Sequence, residues 1–589
     1  MKYSADFETT TDPADCRVWA FAVCSIDDQQ RFMYGSSLDQ FMEFCQQEGM
    51  SEQTAMYFHN LKFDGEFIFC WLYQHGYEYV KTSKELKNQT FTTLIDKHKT
   101  FYSIEVCFKK RGNTKQSVKF FDSLKILPFS VEAIEKGFNL PISKLEIDYK
   151  TPRPLDHQLT LQEIAYIKND VTIIAMALNI LFKQGLDSMT AGSNAMKSYQ
   201  SSVGVKNFMK WFPVPDYMLD QYIRRSYKGG FTYVQEGQAG KEQGPGLVFD
   251  VNSLYPYVMR NKDLPYGEPK HFEGQYTPDP VYTLYVQKIR CQFELKPRHI
   301  PTLQLKNNPR FIGNEYLKNS GSIEEVITMT SVDLDLFFLH YDVFNLEYID
   351  GFKFKATSGL FTEFIDRWSS VKINAKMEGN KAMYTLSKLM LNSLYGKFST
   401  SPDIQSSFPV ADLSGVIHYM LHSEETRDPV YIPAGTFITA WARSQTIQAA
   451  QSLYDRFLYA DTDSLHISGF NLPDQLAIDS TALGSWKHEF TFTRAKYLRQ
   501  KCYIEHGMEP HETEEYYKIT VAGMPASIHK YVNFDNFDFD SSFIPDTPIN
   551  RRKHQEDKAI FIPTEESKLK PLHVPGGIVL TEIDFTMKQ

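Results

Sequence analysis

The amino-acid sequence predicts a multidomain protein of mixed α/β and α+β class. The chain has 589 residues, and at roughly 150 residues per domain this length corresponds to about four structural units. Residues 1 to about 190 alternate short apolar runs with helical segments, the pattern of an α/β domain. A strongly helical stretch, residues 371–398, follows a segment rich in short strand-like runs.

The first unit is predicted to begin with a strand and to end with a long helix. Tyr3–Glu8 has the pattern of a strand and Leu161–Gly185 that of a helix. Small and polar residues at Thr190–Ser193 predict the boundary that follows. The longest apolar stretch, near Ile173–Phe182, is interpreted as too short and too broken to span a bilayer. The N-terminus carries acidic residues where a signal peptide needs an apolar run.

The later elements follow from turn signals. Glycines and a proline in Gly237–Gly246 predict a turn that leads into a strand, Leu247–Val251. Short strand-like runs occupy residues 263 to 361, and Leu458–His466 predicts two strands joined by a tight acidic turn. Several prolines after residue 536 predict loops and short strands.

Composition excludes some classes of protein and leaves others open. A hydrophobic content of 42% with 23% charged residues indicates a soluble globular chain rather than a largely disordered one. The net charge of −9 does not suggest a nucleic-acid protein. It permits one, because catalytic carboxylates lower the net charge while local basic stripes still contact phosphates. The 7 scattered cysteines predict reduced thiols in a cytosolic compartment and no zinc module.

The first chemically suggestive set of residues is acidic and lies in the N-terminal unit. Asp6 and Glu8 are two residues apart, so on a strand both side chains point to the same face. Asp64 and Asp170 lie on later elements, and Tyr166 shares a helix face with Asp170. Carboxylates from separate elements can hold two Mg²⁺ ions that activate a water for phosphodiester hydrolysis.

In this hypothesis Tyr166 holds the attacking water and Lys144 offsets the developing negative charge. The alternative for each piece alone is structural, because a single Asp-x-Glu on a strand or a single Asp on a helix is usually a solvated surface feature. The ordered set is more specific than its parts, and at this point both interpretations stay open.

A second acidic set lies in the C-terminal half. Asp250 ends an apolar strand, while Asp461 and Asp463 lie in the predicted acidic hairpin. One carboxylate from a strand and a pair from a neighbouring hairpin can hold two Mg²⁺ ions, one acting on an attacking hydroxyl and one on a triphosphate. If the turn stays strand-like, Asp461 and Asp463 share a face and Thr462 points away. The alternatives are a calcium loop and an exposed turn, and the apolar flanking residues disfavour the second.

A helix between these two elements carries residues suited to a nucleotide. Lys388, Asn392 and Tyr395 are spaced to share one helix face. The lysine suits phosphates, the tyrosine offers a flat surface to a base pair, and Gly396 permits a close backbone approach. An ordinary amphipathic helix is the alternative, and both descriptions can hold at once. The apolar residues on the other arc are Leu389, Met390 and Leu394.

Two stretches are locally basic. Arg494–Tyr503 interleaves four cations with two tyrosines and is suited to phosphate contacts along a strand. Phe108–Lys119 is also basic, and a solvated hairpin is the favoured interpretation there.

Taken in order, these motifs resemble the protein-primed family B DNA polymerases of small tailed bacteriophages, and in particular the strand-displacing members of that family. The resemblance covers essentially the whole chain. The motifs that carry it are Asp6–Thr10, Asn60–Gly65, Tyr166–Asp170, Phe249–Pro256, Lys388–Lys397, Thr439–Arg443, Asp461–Asp463 and Arg494–Tyr503.

The resemblance implies a ribonuclease H-like 3′–5′ exonuclease followed by a right-hand polymerase with palm, fingers and thumb. In the exonuclease, Asp6, Glu8, Asp64 and Asp170 are implied to bind metal, assisted by Tyr166 and Lys144. The residues implied to hold a single-stranded 3′ end are Thr9, His59, Asn60, Phe63, Phe67, Ser123, Leu124 and Tyr149.

In the polymerase, Asp250, Val251 and Asp463 are implied to bind the metals, with Asp461 in support. Tyr255 is implied to exclude a ribose 2′-hydroxyl, and Lys388, Asn392, Tyr395 and Gly396 to contact the nucleotide. The residues implied to contact DNA are Tyr227, Gly229, Gly230, Thr439, Arg443, Arg499, Lys501 and Tyr503.

The resemblance also implies a division into seven parts with two insertions. The long interval between Asp250 and Lys388 has room for the first insertion. The parts are the exonuclease, 1–190; the palm, 191–262 and 428–535; a terminal-protein and duplex-binding insertion, 263–361; the fingers, 362–400; a strand-displacing insertion, 401–427; and the thumb, 536–589.

The implied cofactor is Mg²⁺, two ions per active site, with Mn²⁺ as a substitute. The implied partners are primer-template DNA, single-stranded template, deoxynucleoside triphosphates and a terminal protein that acts as primer. No membrane is expected, and the chain is expected to be a monomer or a heterodimer with the terminal protein in the cytoplasm of an infected bacterium.

One motif departs from the family pattern. The link between exonuclease and palm commonly reads Tyr-Arg-Gly-Gly, and here it is Tyr227-Lys-Gly-Gly230. Lysine keeps the charge but lacks the bidentate fork of arginine. Two other functions are kept as alternatives: a stand-alone 3′–5′ exonuclease whose C-terminal half only binds nucleic acid, and a non-catalytic replication scaffold.

Overall fold

An eight-stranded sheet forms the N-terminal part of the molecule in the computed structural model, which describes residues 1–49, 54–112, 114–305, 308–312, 315–553 and 558–589. Its strands are β1 Lys2–Thr9, β2 Val18–Ser25, β3 Phe32–Gly35, β4 Thr54–Phe58, β5 Glu78–Tyr79, β6 Thr90–Ile95, β7 Phe101–Arg111 and β8 Thr114–Asp122. They lie in the order β3-β2-β1-β4-β8-β7-β6-β5, with β1 antiparallel to β2 and parallel to β4. The predicted strand at Tyr3–Glu8 is therefore confirmed as β1, well inside the sheet.

Four helices accompany this sheet: α1 Leu38–Glu48, α2 Leu61–Gln74, α3 Val131–Phe138 and α4 Leu161–Lys183. Helix α4 begins with a capping box in which Thr160 Oγ1 accepts a hydrogen bond from the Glu163 amide, so the predicted helix is confirmed. The whole of α4, which contains the apolar stretch near Ile173–Phe182, is long and apolar enough to cross a membrane by length and composition alone. Because 61% of its most apolar window is buried inside the fold, α4 serves here as a core helix.

Three more helices lead from α4 to the centre of the chain: α5 Ala191–Val203, α6 Val205–Trp211 and α7 Tyr217–Arg224. The residues predicted as a boundary, Thr190–Ser193, start α5, where Thr190 Oγ1 accepts a hydrogen bond from the Ser193 amide. The chain continues with β9 Thr232–Val234, β10 Glu242–Gln243, β11 Gly246–Val251 and α8 Leu254–Asn261. Strand β11 confirms the strand predicted at Leu247–Val251.

A four-stranded antiparallel sheet occupies most of residues 263–361. Its elements are β12 Leu264–Glu273, β13 Leu284–Leu295, β14 Glu325–Thr330, α9 Ser331–His340 and β15 Tyr341–Thr357. The strand order is β12-β15-β13-β14. The strand-like runs of this segment therefore pair with one another and form a sheet separate from the other two.

The predicted helical stretch is a pair of helices rather than one. Helices α10 Thr362–Met377 and α11 Lys381–Ser393 are separated by Gly379, whose φ of 68° ends the first. A 3₁₀ turn, Tyr395–Ser399, follows α11. Residues 401–427 then form two small pairs of strands, β16 Asp403–Ile404 with β19 Glu425–Thr426 and β17 Ser407–Ala411 with β18 Ile417–Leu421.

The second large sheet brings β11 beside the acidic hairpin. After α12 Ile432–Ser452 come β20 Phe457–Asp461, β21 Ser464–Ser468, β22 Trp486–Arg499, β23 Cys502–Met508 and β24 Tyr516–Val521. The order is β24-β23-β22-β11-β21-β20-β9, with β10 paired to β22. Strands β20 and β21 confirm the predicted hairpin.

The C-terminal segment consists of short strands and one short helix. Its elements are β25 Ser542–Pro545, α13 Pro548–Lys553, β26 Ala559–Ile562, β27 Lys568–Val574, β28 Gly577–Ile583 and β29 Phe585–Thr586. The predicted strands and loops are confirmed, whereas α13 was not predicted. A proline starts this helix, where its fixed φ suits the first turn.

One large hydrophobic core connects the N-terminal sheet with the second large sheet. Ile167 of α4, Phe249 of β11 and Phe437 of α12 belong to the same buried cluster. The two regions that carry the acidic sets are therefore parts of one packed framework.

Candidate active sites

Four carboxylates converge on one face of the N-terminal sheet. Asp6 and Glu8 come from β1, Asp64 from the first turn of α2 and Asp170 from α4. Burial raises the pKa of each. Repulsion from neighbouring carboxylates adds to the effect at Asp6, Glu8 and Asp64, and the pKa of Asp6 rises to about 7. The structure thus brings together the four acidic residues that the sequence singled out.

Lys144 and Tyr166 lie at the same cluster. Lys144 Nζ is 2.6 Å from Asp170 Oδ2 and lies 5.3 Å from the centre of the Tyr166 ring. The Tyr166 and Tyr149 hydroxyls are 2.6 Å apart. Burial, followed by the charge of Glu8, raises the pKa of Tyr166, so this phenol keeps its proton at neutral pH.

The chemistry of this cluster fits a divalent cation. Asp64 Oδ1 and Asp170 Oδ1 are buried, and neither has a hydrogen-bond partner among the described residues. Oxygen ligands of this kind are those that Mg²⁺ binds in proteins. Across the described ranges, no three acidic, histidine or cysteine side chains are already grouped as a metal site. By charge, and by the two unpaired carboxylate oxygens, the residues nonetheless fit the ion.

The residues implied to hold a strand end lie around α2, and some are fully enclosed. His59 contacts Ser123 Oγ through Nδ1, at 3.0 Å, and the Phe129 carbonyl through Nε2, at 2.7 Å. Asn60 has a φ of 88° just before α2. Ser123 and Phe67 are completely buried. Both side chains are used for packing and internal hydrogen bonds, and the contact of these residues with DNA stays a prediction.

The remaining residues of this group are more accessible. Tyr149 is 51% exposed, and Phe63 packs on Phe67 with ring centres 5.7 Å apart. Thr9 ends β1, and Leu124 is half-buried with its amide donating to Asp122 Oδ1. Tyr149 reaches the carboxylate cluster through Tyr166, and Thr9 and Phe63 directly adjoin Glu8 and Asp64 in the sequence.

The second acidic set lines an open cleft of about 390 Å³. Strand β11 pairs with β21 so that Asp250 lies opposite Ser464, one residue from Asp463. The Val251 amide donates to the Asp463 carbonyl at 2.8 Å. Thr462 has a φ of 56°, so the turn is not strand-like. The condition for alternation, a strand-like turn, is therefore not met, although Asp250, Asp461 and Asp463 all line the cleft.

Glu489 and Lys518 also line this cleft, and the sequence did not indicate them. Burial, then the charges of Asp463 and Glu489, raises the pKa of Asp250 to about 7, while Lys518 lowers it. Burial raises the pKa of Asp463 to about 6. Glu489 is one of several polar residues on β22, and only the pairing of β22 with β11 places it beside Asp250.

The raised pKa values predict how the metal-free protein responds to pH. Asp250 and Asp463 bind protons more tightly in the folded than in the unfolded chain, so their ionisation destabilises the fold as pH rises from about 4 through 7. Without divalent metal, Asp250→Asn/Asp463→Asn should melt closest to wild type at about pH 4 and well above wild type at pH 8. Thermal unfolding with a chelator measures this, and a variant that melts equally or lower at pH 8 would contradict it.

The fingers residues are only partly on one helix face. Helix α11 ends at Ser393, so Lys388 and Asn392 lie on the helix while Tyr395 lies in the 3₁₀ turn. The tighter turn stacks Tyr395 on Tyr255, with ring centres 4.0 Å apart and planes 13° apart. The expectation of a continuous helical face was wrong because this turn changes the spacing after Ser393.

The predicted apolar face of α11 is buried, as expected, and a further lysine, Lys372 of α10, lies near Lys388. Leu389, Met390 and Leu394 are buried. Burial and the nearby charges of Lys388 and Lys376 lower the pKa of Lys372 on α10. No described atom beyond the chain neighbours lies within 4 Å of the position that a Cβ would take at Gly396. The close backbone approach expected there does not involve the rest of this chain.

Arg443 of α12 is buried and fully engaged within the protein. Its guanidinium binds Asp333 of α9 at 2.7 to 3.2 Å and donates to the carbonyls of Lys228 and Gly229 at 2.6 and 2.8 Å. Thr439 is also buried and bonds within its own helix. Both side chains are held by internal hydrogen bonds, and their role in positioning the primer strand stays a prediction.

The link Tyr227–Gly230 lies against the catalytic turn. The position that a Cβ would take at Gly230 is 2.5 Å from Thr462 Oγ1, so this glycine permits a close approach. The Thr462 amide donates to the Phe231 carbonyl at 2.7 Å. A Cβ at Gly229 meets no described atom within 4 Å, and Lys228 is buried near Asp333. The link therefore connects Arg443 with the turn that carries Asp463.

The basic hairpin formed by β22 and β23 approaches the cleft at one point. Lys501 Nζ is 4.0 Å from Asp461 Oδ2, and Tyr503 lines the cleft. Arg494 instead forms a bidentate pair with Glu242, and Arg499 donates to the Lys588 carbonyl. The other basic stretch is the exposed end of the β7–β8 hairpin, as the favoured interpretation held.

Comparison with known proteins points to one family. Residues 45–482 match the family described as DNA polymerase type B, organellar and viral. The chain is 46% identical to the DNA polymerases of Bacillus phages Nf and phi29, over 100% of this chain and 99% of each relative. It is 30% identical to the DNA polymerase of Streptococcus phage Cp-1, over 100% of this chain and 98% of that protein.

Solved structures agree with this result. The fold matches phi29 DNA polymerase complexed with primer-template DNA and incoming nucleotide substrates at a TM-score of 0.91 and 44% identity, over the whole of both chains. It matches the complex of that polymerase with single-stranded DNA at a TM-score of 0.89. The recognised resemblance and the mixed multidomain fold are thereby confirmed. The chain belongs to the type B DNA polymerases of organelles and viruses and is a DNA-directed DNA polymerase with a 3′–5′ exonuclease.

Proposed function

We propose that this polymerase replicates a linear phage genome by protein-primed, strand-displacing synthesis, with Mg²⁺ ions at both carboxylate sites. The observation that carries the proposal is the presence of two separate acidic sites in one packed framework, one beside β1 and one beside β11. Family membership implies dependence on divalent metal in general. The choice of Mg²⁺, two per site with Mn²⁺ as a substitute, rests on the all-oxygen ligand sets.

At the polymerase site, Asp250, Asp463 and the Val251 carbonyl would hold the metal, with Asp461 in support. Bound Mg²⁺ would lower the pKa of a primer hydroxyl and neutralise the triphosphate. Tyr255, held by stacking on Tyr395, would close the space needed by a 2′-hydroxyl.

Cations from two elements of the polymerase surround the proposed substrates. Lys388 and Lys372 would bind the phosphates. The two lysines lie close together, since the charge of Lys388 lowers the pKa of Lys372. Lys501, 4.0 Å from Asp461, would contact the primer end. Asn392 is exposed beside Lys388 on α11 and would meet the nascent base pair.

At the exonuclease site, Asp6, Glu8, Asp64 and Asp170 would hold the metal. Tyr166 keeps its proton and would orient the attacking water, while Lys144 would stabilise charge on the leaving oxygen. Tyr149, whose hydroxyl meets that of Tyr166, would contact the strand end.

The proposed substrates are primer-template DNA, single-stranded template and deoxynucleoside triphosphates. The matched phi29 structures contain DNA and nucleotides, which supports the same substrates here. The second insertion, 401–427, would separate the downstream strands. The polymerase would act as a monomer, or as a heterodimer with a terminal protein, in the cytoplasm of the infected bacterium.

Protein priming predicts a covalent product. The first insertion, 263–361, carries the separate four-stranded sheet and would bind a terminal protein whose Ser, Thr or Tyr hydroxyl replaces the primer. The purified terminal protein, α-labelled dATP and Mg²⁺ should give a labelled protein–dAMP adduct that survives denaturing gel electrophoresis. Asp463→Ala should abolish the adduct. Absence of adduct from wild type would contradict protein priming and leave the polymerase assignment in place.

The alternative of a stand-alone exonuclease leaves the second acidic cleft without a use. A non-catalytic scaffold leaves both sets of buried carboxylates without a use, although burying them together is costly. Incorporation of a labelled deoxynucleotide separates both alternatives from the proposed function.

A further inference from the structure

A buried carboxylate lies where three parts of the chain meet, and neither active site uses it. Glu66 is on α2, and its side chain is 2% exposed. Tyr419 of β18, in the second insertion, donates a hydrogen bond from its hydroxyl to Glu66 Oε1 at 2.6 Å. His573 of β27, near the tip of the C-terminal hairpin β27–β28, places Nδ1 at an ion-pair distance of 3.4 Å from Glu66 Oε2, and neither atom has a hydrogen-bond partner among the described residues. The insertion and the hairpin therefore meet at one side chain of a third element.

Apolar packing surrounds this polar contact. Ile417 of the insertion and Ile578 of the hairpin are buried in the same hydrophobic cluster as the apolar face of α2. The Tyr73 hydroxyl donates to the Pro409 carbonyl at 2.6 Å. On the other side, a Cβ at Gly577 would lie 2.4 Å from the Phe67 ring, so the hairpin tip lies directly on the helix. Helix α2 is thus a shared docking surface for both segments.

A carboxylate is an expensive choice for such a surface. An ionised carboxylate buried without partners loses its hydration and regains little, whereas an apolar residue at the same position would pack at no such cost. The insertion supplies a hydrogen bond to Glu66 Oε1, and the hairpin places the His573 imidazole at ion-pair distance from Oε2, so both segments offset part of this cost. Burial and the charge of Glu66 raise the pKa of Tyr419 well above its usual value, so the phenol remains a donor.

The consequence is a dependence of each segment on the other. If the insertion undocks from α2 while the hairpin stays docked, Glu66 loses the hydrogen bond from Tyr419 but its side chain remains partly covered. If the hairpin leaves, the carboxylate keeps only Tyr419. In either half-docked state the partly covered carboxylate has lost one of its two neighbouring polar groups, and release of the second segment lets water reach it.

We propose that Glu66 is a positioning residue that makes docking of the second insertion and of the C-terminal hairpin on α2 cooperative, so that both are held for strand-displacing synthesis or both are released. The link to strand displacement rests on the function proposed above. The cooperative docking itself rests only on the contacts of Glu66, Tyr419 and His573.

The direct test is amide hydrogen exchange of the full-length protein. Tyr419→Phe removes the hydroxyl from the insertion and leaves the hairpin sequence intact. We expect amide protection in the hairpin, Gly577–Ile583, to fall about tenfold in this variant. Glu66→Met/Tyr419→Phe removes the unpartnered carboxylate as well and should restore most of that protection. Tyr34→Phe, an exposed tyrosine on β3, is the matched control and should leave the hairpin unchanged.

The second readout is synthesis through a downstream duplex, divided by extension of the same primer on an open template. Tyr419→Phe should lower this ratio about tenfold, and the double variant should return within about threefold of wild type. Exonuclease activity on a single strand reports whether α2 is intact, since α2 carries Asp64.

The outcomes are distinguishable. Hairpin protection in Tyr419→Phe that equals wild type overturns the proposal. A double variant that is as impaired as Tyr419→Phe, or more so, also overturns it, because that result describes simple packing. A wild-type enzyme that stops at the duplex contradicts strand displacement alone, and the exchange experiment still decides whether docking is cooperative.

Discussion

Asp463→Ala is expected to reduce nucleotide incorporation by about 10³-fold or more while exonuclease activity stays near wild type. Loss of a metal ligand removes several kcal/mol of transition-state stabilisation, and each 1.4 kcal/mol corresponds to a factor of ten in rate. Asp463 lines the cleft with Asp250, and its carbonyl accepts the Val251 amide. The exonuclease carboxylates lie on β1, α2 and α4 of the N-terminal part of the molecule, so they should not respond.

Primer extension with labelled deoxynucleotides measures the loss, and degradation of a single strand measures the unaffected activity. Asp474→Ala, an exposed acid in the loop after β21, is the matched control and should behave as wild type. Synthesis by Asp463→Ala at a rate within about tenfold of wild type would show that the cleft is not the polymerase site.

The second large expected effect is loss of exonuclease activity with nucleotide incorporation retained. Asp6→Ala/Glu8→Ala should abolish 3′–5′ degradation, by about 10³-fold or more, because two of the four carboxylates that would hold metal are removed. Burial and mutual repulsion raise the pKa of both, so their removal also relieves strain in the metal-free protein. Thermal stability without metal is therefore expected to be maintained or increased.

Degradation of a labelled single strand without nucleotides measures this effect, and incorporation at saturating nucleotide should be unchanged. The exposed Asp27 provides the control variant Asp27→Ala. Degradation that persists in Asp6→Ala/Glu8→Ala would place the exonuclease elsewhere. Loss of both activities together would contradict the separation of the two sites.

The sequence was informative where chemistry and local pattern coincide. Asp6 and Glu8 were predicted on one strand, and the hairpin that carries Asp463 was predicted from its apolar flanks and acidic turn. These features depend on residues close together in the chain, which side-chain alternation and turn chemistry describe well.

The sequence was less informative where long-range pairing or a local change of geometry decides the position of a residue. Glu489 reaches the cleft only because β22 pairs with β11. Tyr395 meets Tyr255 because α11 gives way to a 3₁₀ turn, which regular helical spacing does not anticipate. Arg443 was expected to contact DNA but binds Asp333, which lies 110 positions away and is also buried. Partners this distant leave no local pattern.

One measurement tests the central claim that this chain contains two separate active sites, one that extends a primer and one that shortens it. A 5′-labelled primer annealed to a longer template is incubated with the enzyme and Mg²⁺, with and without the four deoxynucleoside triphosphates. The predicted result is extension when nucleotides are present and shortening when they are absent, with Asp463→Ala losing only the first. Shortening under both conditions by the wild-type enzyme would contradict the account, because Asp250 and Asp463 would then not form a working polymerase site.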